Sequence, residues 1–202
     1  MRDERSPALL IVDVQNDFCP GGALAVDRGD DVVPVLHALA ERFAALGLPV
    51  YASRDWHPAD SRHFAAYGGR WPVHCVQGSF GARLHEGLRL PPSAAIVTKG
   101  QARDDEGYSA LAGHVAARGT LAEDLAARGV NHLYVGGLAT DYCVKHSVLD
   151  ALRHGIGVTV LTDAIRAVDV QPDDGARAID AMRGAGARFD VSAAALSEDA
   201  GR

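Results

Sequence analysis

Residues 132–161 read HLYVGGLATDYCVKHSVLDALRHGIGVTVL, with two short apolar runs on either side of a stretch with helical periodicity. The runs at residues 132–136 and 157–161 predict buried strands. Between them, residues 141–154 repeat their apolar positions with helical spacing, which predicts an amphipathic helix. The apolar face of this helix consists of Val144, Val148, Ala151 and Leu152. A strand, a helix and a second strand in this order predict a βαβ unit with parallel strands.

The same alternation continues on both sides of this unit. Further strands are predicted at residues 8–14, 49–53, 94–98 and 187–191. Further helices are predicted at residues 31–46, 120–127 and 173–185, with Thr120 as a candidate N-cap. Strands that alternate with helices predict an α/β fold, here a three-layer αβα sandwich with a mainly parallel sheet of about six strands. We expect one domain over residues 1–202, with a long irregular insertion at about residues 54–93.

The composition of the chain limits the classes of binding partner that we expect. The chain has 202 residues, of which 48% are hydrophobic and 23% charged, and its formal net charge is −6. These values are typical of a folded domain, and without a run of Lys or Arg we expect no nucleic-acid partner and no membrane partner. The apolar runs are shorter than the roughly 18 residues of a membrane helix, and MRDERSPALLIVDV lacks the pattern of a signal peptide. Cys19, Cys75 and Cys143 are too few for a disulfide framework, which favours a cytoplasmic protein.

Three reactive side chains follow predicted strands. Asp13 ends the first apolar run, Lys99 follows residues 94–98, and Cys143 comes after a glycine-containing turn. The carboxyl ends of parallel strands share one edge of a sheet, so we expect these side chains to converge there. Together they suit nucleophilic catalysis, with Asp13 accepting the thiol proton and Lys99 favouring the anions. A thiol in the first turn of a helix also has its thiolate stabilised by free N–H groups.

Each of these residues also has a structural interpretation. The carboxylate of Asp13 could cap a neighbouring loop, and Lys99 could extend to solvent. Cys143 could be an ordinary core residue. Thr140 and Asp141 are candidate caps for the helix that follows. The convergence of an acid, a lysine and a thiol is what favours catalysis.

The segment of residues 54–93 is long for a connection within a compact domain and carries candidate metal ligands. These are Asp55, His57, His63 and His74. Carboxylate and imidazole groups together suit zinc, iron or manganese. Chance clustering is the alternative, because the chain has 9 His. The others are expected to be surface residues, namely His37, His85, His114, His132, His146 and His154.

The motif GGLATDYCVKHSVLDA resembles the cysteine motif of the isochorismatase-like hydrolases, and within them the chain is most similar to the nicotinamidases, also called pyrazinamidases. The resemblance extends over nearly the whole chain through ALLIVDVQNDFCPGGALAV, RDWHP, WPVHCVQGSFGA and TKGQARDDEGYSAL. It implies a catalytic triad of Asp13, Lys99 and Cys143. It also implies a cis peptide between Leu138 and Ala139, which directs the N–H of Ala139 to the substrate oxyanion beside that of Cys143.

The resemblance implies further site residues. The ligands of one divalent metal ion, Zn, Fe or Mn, correspond to Asp55, His57 and His74. His63 is expected as a fourth ligand, although many relatives have a serine there that reaches the metal through water. Ser61 stands where several relatives have histidine, and Cys75 is expected to be a packing residue. The pocket for the substrate ring is expected to be lined by Phe18, Leu24, Trp71 and Tyr108.

The activity that the resemblance implies is hydrolysis of nicotinamide to nicotinate and ammonia through a cysteine thioester, within NAD salvage. The metal would hold the pyridine nitrogen and orient the carboxamide over Cys143. The expected partner is this small-molecule substrate, and a homo-oligomer is left open. One alternative is another cysteine amidohydrolase of the superfamily, of the N-carbamoylsarcosine amidase or ureidoacrylate hydrolase type. A second is a non-enzymatic metal- or redox-binding protein, which would release no ammonia from any amide.

Overall fold

A computed structural model describes residues 6–196, whose strands form one eight-stranded sheet. The strands are β1 (Pro7–Val12), β2 (Val50–Asp55), β3 (Ala95–Lys99), β4 (His114–Val115), β5 (Gly119–Thr120), β6 (His132–Leu138), β7 (Gly157–Arg166) and β8 (Arg188–Asp190). Their spatial order is β5-β4-β3-β2-β1-β6-β7-β8. All pairs from β3 to β8 are parallel, and β4 and β5 pair antiparallel at one edge. The start of MRDERSPALLIVDV and residues 197–202 lie outside the described residues.

Helices cover both faces of the sheet. They are α1 (Val32–Ala45), α2 (Leu121–Ala127), α3 (Lys145–Arg153), α4 (Asp174–Gly184) and α5 (Ser192–Leu196). Alternate residues of β1 enter two separate apolar clusters, because successive side chains of a strand point to opposite faces. Leu10 packs in the cluster that contains residues of α2, α3 and α4, whereas Leu9 packs in the cluster that contains residues of α1 and α5. The predicted αβα sandwich is therefore confirmed.

The predicted strands and helices are all present, but two strands were missed. β4 and β5 have two residues each, too few to show a period-two pattern in the sequence. β7 continues five residues past its predicted end, to Arg166. Thr120 caps α2 as predicted, and it does so through a capping box with Glu123.

His132 corrects one of the surface predictions. It is the first residue of β6 and is buried, and its Nε2 lies 2.9 Å from Oγ1 of Thr159 on β7. β6 lies between β1 and β7, so the His132 ring packs against side chains of neighbouring strands and is buried. A count of histidines in the sequence could not reveal this position. His114 and His154 are exposed as predicted, while His37, His85 and His146 are half-buried.

Residues 56–94 form no helix or strand beyond one short 3₁₀ turn at Ala65–Tyr67, as the sequence predicts. Isolated bridges nevertheless fix the course of this segment: His57 pairs with Val76, and Leu84 pairs with Gln15 just after β1. The segment leaves the sheet at the carboxyl end of β2 and returns at the start of β3. None of the helices within residues 6–196 is long and apolar enough to cross a membrane.

Candidate active site

Four buried side chains meet at the carboxyl ends of the central strands, and we call them the strand-end cluster: Asp13, Asp55, Lys99 and Cys143. Lys99 lies at the centre, with Nζ 2.7 Å from Oδ2 of Asp13 and 2.5 Å from Oδ1 of Asp55. The same Nζ lies 3.4 Å from Sγ of Cys143. Asp55 and Lys99 are register partners at the ends of β2 and β3, so the sheet itself sets their contact. The structure thus brings together the three residues expected to form the triad.

Two residues without a predicted role fix this cluster: Ser53 contacts the carboxylate of Asp13, and Gln15 contacts the backbone of Asp55. Ser53 Oγ donates to Oδ1 of Asp13 at 2.6 Å and accepts the N–H of the same residue at 3.2 Å. Gln15 is fully buried, accepts the N–H of Asp55 at 2.8 Å and donates to the carbonyl oxygen of Asp55 at 2.8 Å. Neither residue could be assigned from the sequence, because both roles depend on the pairing of β1 with β2.

Cys143 lies in the turn that follows β6. The Leu138–Ala139 peptide is cis, as the resemblance implies, and the next residues form a π-helical turn at Thr140–Val144 before α3 begins. Cys143 therefore sits in a π-turn and not in the first turn of an α-helix. Gly137 permits the close approach of this turn to β1, because its φ is +127° and a Cβ there would lie 2.0 Å from the carbonyl oxygen of Val12.

The predicted capping by Thr140 or Asp141 is wrong. No side chain caps the turn at Thr140–Val144. Asp141 instead accepts the backbone N–H groups of Val168 and Asp169, at 3.0 and 2.9 Å. Its carboxylate thus ties the cysteine turn to the chain that follows β7. The sequence did not predict this, because the two segments are far apart along the chain.

Burial dominates the ionisation of the strand-end cluster. It raises the pKa of the Cys143 thiol well above its usual value, although Lys99 acts in the opposite direction. It also raises the pKa of Asp13, against the effect of Lys99. Burial alone would lower the pKa of Lys99, but Asp13 and Asp55 raise it well above its usual value. Burial thus opposes ionisation of the thiol, and the role predicted for Asp13 is to accept its proton.

Three histidines of residues 56–94 form a second group, the histidine cluster: His57, His63 and His74. All three are buried, and one nitrogen of each lies within 4.8 Å of the others. The rings of His57 and His63 are stacked with centroids 4.8 Å apart. Asp55 borders the group, with Oδ2 3.7 Å from Nε2 of His57. The structure therefore gathers all four predicted metal ligands in one place.

Burial favours the neutral, metal-binding form of His63 and His74. Burial lowers the pKa of His63 to about 3 and also lowers that of His74. Nδ1 of His57 lies 3.1 Å from the carbonyl oxygen of Gly100, and Nδ1 of His74 lies 2.8 Å from that of Pro72. A carbonyl oxygen only accepts, so in neutral rings Nδ1 carries the proton and Nε2 presents its lone pair.

A divalent cation fits this donor set. Nε2 of His57 is buried and has no hydrogen-bond partner among residues 6–196, an arrangement that costs free energy unless a ligand binds there. Neutral imidazoles beside one carboxylate are a common ligand set for zinc and related ions. Ser61 is buried beside this group, but its Oγ accepts the N–H of His63 at 3.2 Å. Cys75 is buried, and its backbone N–H donates to Asp17 at 2.7 Å.

One cavity joins the two clusters, with an open space of about 380 Å³. It is bordered by Asp55, His63, His74, Ala139 and Cys143, and by all four residues expected for the ring pocket: Phe18, Leu24, Trp71 and Tyr108. The sequence reasoning missed Val26, Tyr142 and Val168, which also line it. Trp71 donates its indole N–H to the hydroxyl of Tyr108 at 2.9 Å, and its ring meets that of Tyr142 edge to face at 4.7 Å.

His146 differs from the prediction of an ordinary surface residue. Its half-buried ring stacks on Tyr108, with centroids 5.0 Å apart and planes inclined by 19°. It therefore supports one wall of the cavity from behind. His146 follows Cys143 by three residues, about one helical turn, and this spacing could have predicted its place near the cavity.

Comparison with known proteins agrees with this geometry. The isochorismatase domain model matches residues 7–191. The nicotinamidase of Escherichia coli (strain K12) is 44% identical over 196 residues, an alignment that covers 89% of this chain and 92% of the relative. The pyrazinamidase of Pyrococcus horikoshii in complex with zinc has a TM-score of 0.83 and 40% identity, covering 92% of this chain and 99% of that one.

A third similar protein is PnC1 from L. infantum, solved in complex with nicotinate, with a TM-score of 0.83 and 32% identity. That comparison covers 95% of this chain and 96% of the other. The likeness thus includes both the sheet and residues 56–94, where the histidine cluster lies. The chain belongs to the isochorismatase family, within its nicotinamidase/pyrazinamidase branch.

Proposed function

We propose that this protein is an amidase that hydrolyses nicotinamide to nicotinate and ammonia, and that also accepts pyrazinamide. The observation that carries the proposal is the cavity bordered by Cys143, His63 and His74, with a carboxylate oxygen of Asp13 within 4.8 Å of the sulfur atom. The relatives described above support the same activity, since they are nicotinamidases and pyrazinamidases that match nearly the whole chain. In the cell this reaction would return nicotinamide to NAD synthesis.

Asp13 is proposed to move the protons of the reaction. Its Oδ2 lies beside Lys99 but accepts no hydrogen bond of good geometry from the described residues, so a lone pair is free for the thiol proton. The thiolate of Cys143 attacks the carboxamide carbon, and Asp13 then gives the proton to the departing nitrogen, which leaves as ammonia. Water next loses a proton to Asp13 and attacks the thioester carbon. Collapse of that intermediate releases nicotinate and returns the proton to sulfur.

The backbone of the cysteine turn would stabilise the oxyanion. The N–H groups of Ala139 and Cys143 are the proposed donors, since both residues line the cavity next to the sulfur atom. Donors fixed in this way stabilise the tetrahedral intermediate without reorganisation. Lys99 keeps Asp13 ionised and favours the thiolate once it forms, because its Nζ contacts both groups.

Asp55, His57, His63 and His74 are proposed to hold one divalent metal, with zinc, iron and manganese as the candidates. When bound, the ion supplies a Lewis-acidic contact for the ring nitrogen of the substrate, directly or through water. Phe18, Leu24, Trp71 and Tyr108 are proposed to enclose the ring. The ring and the carboxamide are thereby held at opposite ends of the cavity, which places the reacting carbon over Cys143.

The compartment and the assembly are further proposals. All three cysteines are free thiols, which agrees with the cytoplasmic location expected from the sequence. The proposed partner is the small-molecule substrate alone. A homo-oligomer stays a prediction.

The test is ammonia release from nicotinamide by the purified protein, before and after removal of metal with a chelator. We expect release that disappears on chelation and returns when zinc, iron or manganese is added back. Absence of ammonia from the metal-loaded protein would overturn the substrate assignment. Release from another small amide under the same conditions would then direct attention to a sister amidohydrolase, such as the N-carbamoylsarcosine amidases.

A further inference from the structure

An open groove lies beside the catalytic cavity, and the proposed reaction does not use it. Its open space is about 810 Å³, roughly twice that of the catalytic cavity. Tyr142 lines both spaces and is the wall between them. Three separate segments contribute its cations, namely Arg70 from residues 56–94, Lys145 from α3 and Arg177 from α4. We call this space the cationic groove.

The carboxylates in the cationic groove already have partners. Asp141 accepts the N–H groups of Val168 and Asp169, so its oxygens are turned to the backbone. Asp174 forms an ion pair with Arg177, at 2.7 Å. Asp174 is thus paired with Arg177, although it also lies near enough to Arg70 for the two charges to interact.

Arg70 and Lys145 contact aromatic rings instead of acids. The guanidinium carbon of Arg70 lies 5.2 Å from the ring centroid of Trp71 and 5.7 Å from that of Tyr142. Nζ of Lys145 lies 5.9 Å from the same Tyr142 ring, on the groove side. Neither cation has an ion pair within 4.0 Å among the residues that the structure describes. Cation–π contacts at exposed sites are weak, and a guanidinium gains more from a bidentate contact with an oxyanion.

We propose that the cationic groove binds a phosphate-bearing anion, with Arg70 and Lys145 as its main ligands. A guanidinium binds phosphate through two parallel hydrogen bonds, and an ammonium adds a compact positive charge. Cations that converge from three segments suit a group with two or more negative charges. Nicotinamide is neutral, so the reaction itself gives no reason for this charge.

The groove and the catalytic cavity share a wall, and this predicts an effect on catalysis. An anion that draws Arg70 away from Trp71 and Tyr142 removes a contact that holds two walls of the ring pocket. Binding in the groove would then change KM for the amide more than kcat. This part of the inference rests on the proposed function, whereas anion binding does not.

The experiment is a calorimetric titration of the metal-loaded protein with inorganic phosphate and with pyrophosphate, at constant ionic strength set with chloride. We expect saturable binding, tighter for pyrophosphate, that weakens at least 10-fold in Arg70→Gln and in Lys145→Gln. The matched control is Arg83→Gln, since Arg83 is also an exposed arginine over a ring, 6.0 Å from the centroid of Phe80, but lies outside the groove. This control should bind as tightly as the unaltered protein.

Two results would overturn the inference. One is the absence of saturable binding of either anion. The other is equal affinity in Lys145→Gln, Arg70→Gln and the Arg83 control, which would show a general charge effect. Lys145→Gln keeps the test valid if the loss of Arg70 disturbs folding. Because the readout is binding and not ammonia release, a protein that binds pyrophosphate but cleaves no nicotinamide would refute the proposed function alone.

Discussion

The strand-end cluster and the histidine cluster are equally buried and meet at Asp55, yet burial acts on them in opposite ways. In the strand-end cluster, Asp13 and Asp55 raise the pKa of Lys99, and burial raises the pKa of the Cys143 thiol. In the histidine cluster, burial lowers the pKa values of His63 and His74, so these rings are neutral. The first group is proposed to transfer protons, and the second is proposed to bind a cation. The same low-polarity interior therefore serves two kinds of chemistry, depending on the donor types placed in it.

Loss of the sulfur atom of Cys143 is expected to have the largest effect on activity. Cys143→Ala should lower kcat/KM by about 10⁴-fold or more, because removal of a nucleophile removes the covalent route. Folding, followed by circular dichroism, and metal content should both be unchanged, since the histidine cluster is intact. Cys19→Ala is the matched control, a buried cysteine outside the cavity, and should keep full activity. Retained turnover in Cys143→Ala would refute the nucleophile assignment.

Loss of a proposed metal ligand tests the histidine cluster while leaving the strand-end cluster intact. His57→Ala should lower metal affinity by more than about 100-fold, beyond the effect of changes in residues that only support ligands. Ammonia release should fall with metal content, while the alkylation rate of Cys143 persists. Metal is measured by elemental analysis after dialysis against a chelator of known affinity. His114→Ala, at an exposed histidine, is the control and should keep its metal; a fully loaded His57→Ala protein would exclude His57 as a ligand.

Gly100 allows a smaller and more specific test. Its φ is +67°, and a Cβ there would lie 2.5 Å from Cε1 of His57. Gly47 has a φ of +71° with nothing within 4 Å of the same position. Alanine at either position should reduce the free energy of unfolding by about 1 kcal/mol through backbone strain alone. Only Gly100→Ala should also weaken metal binding, and equal metal affinity in the two variants would show that the His57 ring tolerates displacement.

The smallest expected effect is a shift of the pH profile. Asp13 acts as a base only when ionised, so kcat/KM should rise with pH through its pKa, which burial raises above the ordinary value of 3.8. The hydroxyl of Ser53 donates to Asp13 and lowers that pKa, so Ser53→Ala should move the acid limb to higher pH. A shift of about 1 pH unit is expected, because a hydrogen bond to a charged group contributes about 1.5 kcal/mol.

The control for this shift is Ser147→Ala, which removes a hydroxyl that is equally buried but bonded to the backbone of Ala110. Its acid limb should coincide with that of the unaltered protein. An unshifted limb in Ser53→Ala would mean that the limb does not report Asp13.

Topology explains why part of the site could be predicted. Asp13, Lys99 and Cys143 each follow a predicted strand, and parallel strands end at one edge, so their convergence was accessible from the sequence. The contact of Asp55 with Lys99 was not, because it needs the register of β2 against β3. The roles of Ser53 and Gln15 depend on pairing between β1 and β2 in the same way.

The convergence of the three histidines could not be predicted from topology. Its donors could be counted in the sequence, but their meeting depends on irregular backbone contacts such as the N–H of His57 donating to the carbonyl of Cys75 at 3.0 Å. No period of apolar residues encodes contacts of this kind, and only the resemblance to a family predicted them. Tyr142 shows the same limit: it lies next to the nucleophile, yet its place in the pocket wall follows from packing against Trp71.

Residues 56–94 have both of their attachments on neighbouring strands, because β2 and β3 are adjacent in the sheet. Because these two strands are parallel, the segment begins at the carboxyl end of β2, directly after Asp55 of the strand-end cluster, and returns at the opposite edge of the sheet, at the start of β3. Its path is fixed against the strand ends, because the N–H of Trp56 donates to the carbonyl oxygen of Lys99 and the N–H of Asn16 donates to that of Arg83, each at 3.0 Å. One irregular crossover thus supplies three of the four proposed metal ligands and the ring-pocket residue Trp71, while Asp13 and Cys143 stand on other segments.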